Sequence, residues 1–264
     1  MNETQSVKSI TDMWALAGND LEILNNIRFT GSEPSLPSLF KTGILAQSTI
    51  GAAALSATAF LQSRGGRKQT VTVDIDDASA SFRSENYLTV DGKTRSEMSN
   101  LSPENNIHGF YKCSDDGWIQ LHANYPKHRK GIIKYLGCDN DRKSVAATIR
   151  TMTASDVENT LSSFNLPVGK MRTSEEWNKH EQGKVIASRP LFSITKIGEA
   201  DPIQLPIRPT RPLEGIKTLE FTKVIAGPLI GRTLAEHGAD VLWINGPLLD
   251  LIDSLDIDKS RGKS

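Results

Sequence analysis

Residues 213–247 of this 264-residue chain read LEGIKTLEFTKVIAGPLIGRTLAEHGADVLWINGP. The pattern predicts a strand at 216–221, a helix over about 228–237 and a second strand at 240–244. Proline is tolerated in a first helical turn because its missing N–H would be unpaired there, and glycine after a helix favours a left-handed cap. The stretch is therefore predicted to form one βαβ unit of a parallel sheet.

The strand-to-helix turn, closed by Ala226-Gly227-Pro228, is the first candidate site. Such a turn aims free backbone N–H groups and the positive end of a helix at an anion above the sheet edge, so a phosphate or carboxylate ligand is expected. The Gly-x-Gly-x-x-Gly spacing of a dinucleotide site is missing from the sequence, which disfavours NAD. A Tyr-x-x-x-Lys pair is missing too, which argues against a short-chain dehydrogenase.

The residues around this turn resemble the opening segment of the family III CoA-transferases, a group that includes the carnitine, formyl and bile-acid CoA-transferases and the 2-methylacyl-CoA racemases. The matching pieces are LEGI at 213–216, LEFT at 219–222, AGP at 226–228, LA at 234–235 and GADV at 238–241. The resemblance implies that the turn lies against CoA. Backbone contacts would come from Val224, Ala226, Gly227 and Pro228.

The last residues, KSRGKS at 259–264, look like the element that follows the first βαβ unit in that family. By resemblance, Arg261 and Lys263 would meet the phosphates of CoA as charged donors. The chain departs from the family pattern at Asn245-Gly246, where a basic residue is expected to meet the adenine. We therefore expect CoA binding to be weak or to depend on a further segment.

Three more stretches resemble the same family, in an unusual order. Residues 51–79 look like its apolar helix, basic turn and following strand, while 109–137 and 164–183 look like parts of its small domain. Two family units fused head to tail would explain the order, if this chain begins late in the first unit and ends early in the second. The alternative is a natural circular rearrangement, which would require the unit to continue past Ser264.

The expected fold is α/β and CoA-transferase family III-like, with parallel-sheet, Rossmann-like pieces at both ends and an α+β small domain between them. The expected parts are the C-terminal part of a large α/β domain, a small domain, a Pro-rich linker and the start of a Rossmann-like βαβ domain. Their predicted bounds are 1–100, 101–200, 201–212 and 213–264.

Helix starts inside the small domain are predicted from two capping-box spacings. Ser155 with Glu158 predicts a helix at 154–163, and Thr173 with Glu176 predicts one at 174–181.

The resemblance implies an aspartate carboxylate that attacks an acyl-CoA, and the corresponding position falls near Leu45. No aspartate occurs between Asp20 and Asp74, and Glu33 lies some ten residues too early. We therefore expect no catalytic residue in this chain and no intrinsic transferase activity.

The racemase branch is disfavoured in the same way, because its glutamate would fall near Tyr125. The neighbouring His122 and His128 are expected to be surface or structural residues.

Charge and composition exclude other classes. Lysine plus arginine and aspartate plus glutamate both number 31, so nothing favours nucleic acid as a partner. Two cysteines, Cys113 and Cys138, suit neither a disulfide framework nor a metal site, and both are expected to be buried thiols. The basic turn of Arg64, Arg67 and Lys68 is expected to be a solvated loop or, alternatively, a phosphate contact.

The expected location is the cytoplasm, without a membrane span. The N-terminus lacks a basic start followed by an apolar run, and the C-terminus is not Ser-Lys-Leu. Polar residues interrupt the most apolar stretch, 43–62, which is expected to be a core helix.

Two functions remain open. In the first, the parent protein transfers CoA between an acyl-CoA and a carboxylic acid, and this chain lacks the nucleophile. In the second, the chain is a non-catalytic partner or scaffold that keeps the fold. The expected partners are acyl-CoA, a carboxylic acid and either a second copy, giving a homodimer, or a further segment that completes the fold.

Overall fold

A computed structural model describes residues 5–94, 97, 106–246 and 253–264. The chain divides into two compact units, one made of Met1–Met98 with Pro190–Ser264 and the other of Ser99–Arg189. Both mix helices and strands, so the predicted α/β class is confirmed. The boundary predicted between residues 100 and 101 lies outside the described residues, and the four-part division remains a prediction.

The N-terminal part of the first unit is built on two short parallel strands. Val71 and Val73 are buried in β2 and alternate with exposed or half-exposed residues, as expected for a strand with one covered face. Phe29 of β1 pairs with Val73. The elements are α1 (Gln5–Leu16), a 3₁₀ turn (Leu21–Asn26), β1 (Ile27–Thr30), α2 (Thr42–Ser63), β2 (Val71–Asp74), α3 (Ile75–Phe82), α4 (Ser84–Tyr87) and a small hairpin of β3 (Thr89–Val90) and β4 (Lys93–Thr94).

Helix α2 is the one helix in the described part of the chain that is long and apolar enough to cross a membrane, judged by length and composition alone. It packs against α1, α3 and β2. Ala46, Leu55 and Leu61 are buried in it. These contacts are those of a core helix, and its composition alone is weak evidence for a span.

The second unit has an antiparallel sheet in the order β5-β6-β7. Its strands are β5 (Gly109–Lys112), β6 (Trp118–Leu121) and β7 (Val168–Lys170). Its helices are α5 (Pro126–Leu136), α6 (Arg142–Ile149), α7 (Ala154–Ser163), α8 (Ser174–Lys179) and α9 (Glu181–Ala187). The buried residues Ile119, Leu121, Ile132, Val145 and Leu161 form the centre of one core.

One of the two predicted capping boxes is wrong. Helix α7 spans 154–163 as predicted, but its N-cap is Thr153, whose side chain accepts from the backbone N–H of Asp156. Glu158 instead forms an ion pair with Arg172. The other box is confirmed: Thr173 and Glu176 cap α8 reciprocally.

The C-terminal part of the first unit confirms the predicted βαβ unit, but its helix begins earlier than predicted: Ala226, Gly227 and Pro228 lie in the first helical turn and not in the loop before it. Strand β8 (Lys217–Glu220) is followed by α10 (Ala226–Glu236) and by β9 (Asp240–Trp243), and the two strands pair in parallel with Leu219 opposite Leu242. Helix α11 (Asp253–Lys259) follows. Ser264 then returns beside β9, where its N–H donates to Val241 O at 2.9 Å and its carbonyl accepts from Trp243 N at 3.0 Å.

Two expectations about single residues need correction. Cys113 is buried as predicted, but Cys138 is only half-buried because it lies at the edge of the core. Arg67 and Lys68 of the basic turn are exposed as expected, whereas Arg64 is half-buried. Its guanidinium donates to the carbonyls of Pro212, Pro206 and Glu214 at 2.7, 3.0 and 2.7 Å, so it binds a chain segment about 150 residues away.

Candidate functional site

The turn between β8 and α10 is strained. Val224 has a φ of +72°, a conformation that is a genuine outlier for a β-branched residue and stores about 1–3 kcal/mol. The next residue, Ile225, is the N-cap of α10 and makes no side-chain cap hydrogen bond. The first backbone N–H groups of the helix therefore receive no hydrogen bond acceptor from the cap side chain, and they can donate to a bound anion.

Gly227 is required where the turn meets the strand end. A Cβ at this position would lie 2.3 Å from Thr222 Cβ, far closer than two carbons can approach. Thr222 is itself fixed, since its Oγ1 donates to Glu220 Oε1 at 2.6 Å and its carbonyl accepts from Trp243 Nε1 at 3.1 Å. The turn is thus held against the ends of both strands.

A buried ion pair lies under the first turn of α10. Lys263 Nζ lies 2.9 Å from Glu220 Oε2, and the two side chains are 1% and 4% exposed. The same ammonium donates to Pro228 O at 2.7 Å. Lys263 therefore links the predicted turn to the C-terminal residues, and its predicted contact with phosphate remains a prediction.

Arg261, the other predicted donor, is half exposed and is positioned by a buried carboxylate. Its Nη2 lies 2.7 Å from Asp258 Oδ1, and Asp258 is 1% exposed. Asp258 also contacts Lys259 at 2.7 Å and Arg232 at 3.1 Å, and it accepts from Ser84 Oγ. Burial alone would raise the pKa of Asp258, but these hydrogen bonds and charges outweigh it and hold the pKa below its usual value.

A cavity of about 370 Å³ opens beside the turn, at the carboxyl ends of β8 and β9. Ligands of parallel α/β sheets bind at this edge, and the volume is in the range of small-molecule sites. The lining residues are Phe221, Thr222, Lys223, Ile244, Asn245 and Gly246. Asn245 and Gly246, where the basic residue of the family pattern is replaced, thus face the same space as the turn.

Sequence reasoning missed several residues of this site. Glu220 and Asp258 stand out only as buried carboxylates, at 5% and 1% exposure. The strand alternation gave no signal for Glu220, because it places this acid on the face opposite the apolar Leu219 and Phe221. Asp258 was not marked either, since its partners Ser84 and Arg232 are distant in sequence.

The position of the expected nucleophile lies at the start of α2. Leu45 is exposed there, and the structure brings a carboxylate close to it after all. Glu33 Oε1 accepts from Ile44 N at 2.9 Å, and its Oε2 accepts from Ser35 N at 3.0 Å. The hydrogen bond from Ile44 is the main cause that lowers the pKa of Glu33. Glu33 therefore acts as a cap of α2 in this structure.

The histidines of the second unit form a cluster. The ring of His122 lies 5.1 Å from that of His108 and 6.2 Å from that of His128, with Tyr125 beside them. Burial, followed by the charge of His122, lowers the pKa of His108 and of His128. Their interlocked packing agrees with the expected structural role. Within the described ranges, no group of three or more His, Cys, Asp or Glu residues is placed to hold a metal ion.

Comparisons with known proteins agree with one another. The sequence model of CoA-transferase family III matches residues 27–200 and 213–256. An acyl-CoA transferase of Gibberella moniliformis is 28% identical over 156 residues, which are 53% of this chain and 27% of that protein. The acetyl-coenzyme A transferase nodX of Hypoxylon pulicicidum is 43% identical over 58 residues, 22% of this chain and 10% of that protein.

Two solved structures resemble part of this chain. A crystal structure of Rv3272 from Mycobacterium tuberculosis has a TM-score of 0.46 and 14% identity, covering 75% of this chain and 57% of that one. A CAIB/BAIF family protein from Brucella suis has a TM-score of 0.42 and 15% identity, covering 60% of this chain and 47% of that one. The chain thus spans about a quarter or less of the curated relatives above. Because the family match spans well over half of its residues, the chain belongs to CoA-transferase family III.

Proposed function

We propose that this chain binds acyl-CoA and that the contact site is the turn between β8 and α10 together with the first turn of α10. Val224, Ala226, Gly227 and Pro228 would meet CoA through their backbone. The observation that carries the proposal is the strained turn before an uncapped helix, beside a cavity at the carboxyl ends of parallel strands. Strain of this kind persists where surrounding contacts impose it, and it is concentrated at ligand sites.

Phosphate groups of CoA would meet the C-terminal residues. Arg261 is half exposed and already oriented by Asp258. Lys263 is neutralised by Glu220, so its contribution would be mainly to hold the turn. Arg261 is therefore the stronger of the two candidates for direct contact with phosphate.

The proposed activity of the parent protein is the transfer of CoA between an acyl-CoA and a carboxylic acid. In that chemistry a carboxylate oxygen attacks the thioester carbonyl, an acyl–oxygen bond forms and CoA leaves as its thiolate, with no need for a metal ion. We propose that this chain does not carry the nucleophile, because leucine stands at the expected position. A cytoplasmic location is part of the same proposal.

Calorimetric titration of acetyl-CoA into the wild-type chain and the Gly227→Ala variant tests the contact site. The clash with Thr222 should displace the turn and weaken binding at least tenfold. Gly198→Ala is the matched control, since a Cβ there meets nothing within 4 Å. Arg261→Gln provides a second variant, if Gly227→Ala changes the circular dichroism spectrum. Equal affinity in all four proteins would contradict the proposal.

Trapping with hydroxylamine tests the missing nucleophile. Incubation with acetyl-CoA should leave no acyl hydroxamate and no thioester adduct on the chain. An adduct seen by mass spectrometry would overturn this part of the proposal. The Glu33→Gln variant would then show whether the carboxylate beside Leu45 carries it.

The alternative, a non-catalytic subunit, is favoured by the second face of the β8–β9 sheet. Leu219, Phe221, Leu242 and Ile244 are 56%, 68%, 48% and 43% exposed there, whereas parallel sheets are normally covered on both faces. A homodimer or a further segment would cover this face. Sedimentation velocity of Leu219→Glu/Leu242→Glu tests it, with Lys68→Glu, a charge change in an exposed loop away from this sheet, as control. Self-association without acetyl-CoA binding would favour the scaffold.

A further inference from the structure

The second unit contains a cleft that the proposed function does not use. Its volume is about 410 Å³, and it lies between the strands β5 and β6 and the outer side of α6. Phe110 and Trp118 line the strand side and are 50% and 43% exposed. In the register Lys112 faces Trp118, so Phe110, two residues before Lys112, projects from the same face of the sheet.

The helix side of the cleft has small residues between two arginines. Arg142, Ala146 and Arg150 follow the i, i+4, i+8 spacing of one helical face along α6 and its C-cap. Eight residues at 1.5 Å each separate the two arginines by about 12 Å. Ala146 leaves open space between the two arginines. Phe110 and Trp118 project from the sheet face that α6 does not cover, and they border the same cleft.

The two arginines differ in how they are held. Arg142 is pre-organised: its guanidinium donates to His108 O at 2.9 Å and lies 4.9 Å from the centre of the Tyr111 ring. The exposed guanidinium of Arg150 makes no hydrogen bond or ion pair with the described part of the chain. Lys112 adds a third positive charge, shared with the exposed Asp116 at 2.7 Å. Among the described residues, the cleft therefore has one guanidinium without a hydrogen-bond or ion-pair partner, Arg150, beside the fixed guanidinium of Arg142 and the ion-paired ammonium of Lys112.

We propose that this cleft binds an aromatic base joined to a phosphate, as in a nucleoside monophosphate. The base would stack on Trp118 and Phe110, since an exposed aromatic face on a strand suits stacking with any planar ring. The phosphate would pair with Arg150, whose fork matches phosphate oxygens. A protein surface is a poorer match, because an apolar partner would leave the arginines desolvated and unpaired.

Calorimetric titration with AMP tests this site on the whole chain. AMP should bind at least tenfold more tightly than adenosine or inorganic phosphate, because only AMP uses both the rings and the cation. Trp118→Leu and Arg150→Gln should each weaken AMP binding about tenfold. Both side chains are partly or largely exposed, so thermal midpoints close to wild type are expected.

Matched controls separate local contacts from general effects. Lys143→Gln removes a charge from the same helix outside the cleft, and Trp177→Leu removes an exposed tryptophan elsewhere in the unit; both should bind AMP within twofold of wild type. Gly227→Ala should do so as well, because CoA itself contains an adenine nucleotide. The proposal would be overturned if AMP did not bind, or if adenosine bound as tightly as AMP. It would also be overturned if Gly227→Ala lost AMP binding while the cleft variants kept it. Each of these outcomes is independent of the acetyl-CoA result.

Discussion

Val224 is a strained residue in the turn of the candidate site. Glycine has no Cβ and reaches a positive φ without strain, yet the chain has valine at a φ of +72° in the turn before α10. The contacts of Thr222 and Gly227 hold the backbone in this conformation. Valine therefore makes this turn less stable than glycine would in the same backbone conformation.

The variant Val224→Gly should be more stable than wild type. Relief of about 1–3 kcal/mol of strain exceeds the 0.5–1 kcal/mol that glycine loses in chain entropy, so a net gain of about 1 kcal/mol is expected. Urea unfolding measures it. Val185→Gly, in helix α9, is the control and should lose about 1 kcal/mol. Equal losses in both variants would show that Val224 is not strained.

At the scale of elements, α10 is seated on β8 through Gly231. A Cβ at this position would lie 1.6 Å from Glu220 Oε2, so the helix approaches the buried carboxylate as closely as its backbone permits. Lys263 then neutralises that carboxylate from the C-terminal segment. Helix, strand and C-terminus are joined by one charge pair.

Lys263→Met should destabilise the first unit by about 3–5 kcal/mol, because it leaves the carboxylate of Glu220 buried and unpaired. The double variant Glu220→Leu/Lys263→Met should recover most of that loss, since an apolar pair removes the unpaired charge. Chemical denaturation of the single and double variants gives the coupling energy. A double variant no more stable than Lys263→Met would refute this account of the pair.

Arg64 plays a comparable role at the end of α2. Its two terminal nitrogens donate to three carbonyls of the segment 206–214. Arg64→Lys keeps the charge but cannot form the fork, so a loss of about 2–3 kcal/mol and faster proteolysis within 201–212 are expected. Arg67→Lys, an exposed neighbour, should match wild type in both assays. Unchanged proteolysis of the Arg64→Lys variant would contradict the proposal that Arg64 holds the segment 206–214 in place.

At the scale of the whole molecule, three of the five histidines have lowered pKa values. Burial is the main cause for His108, His128 and His237. In the unfolded chain each has a pKa near 6.5, so below that pH the unfolded state binds more protons than the folded state. Their contribution to stability is complete above this pH and is lost as the pH falls towards the folded values.

The free energy of unfolding should therefore be smaller at pH 5.5 than at pH 7.5, by at most about 1.4 kcal/mol per pH unit for each histidine. Urea titrations at the two pH values measure the difference. Replacing all three histidines by asparagine should reduce it. The same stability at both pH values in the wild-type chain would show that these side chains protonate as readily in the folded state.

Local signals explain which elements were predictable. The βαβ unit was found from strand alternation, proline in a first helical turn and a glycine cap, all of which act within a few residues. The start of α7 was placed correctly although Thr153, and not Ser155, is the N-cap. Either hydroxyl can cap a helix. A cap at Ser155 would need Glu158 to bond back to it, and in the fold Glu158 instead pairs with Arg172.

By itself, the sequence determined the family, through its resemblance to the family III CoA-transferases, and the parallel βαβ unit, because short-range stereochemistry encodes strand alternation and helix ends. Only the tertiary structure decided that Lys263 is buried against Glu220, that Arg64 clamps a distant segment and that Glu33 caps α2. These contacts join residues far apart in the chain. Their geometry depends on how the elements pack, which no local pattern specifies.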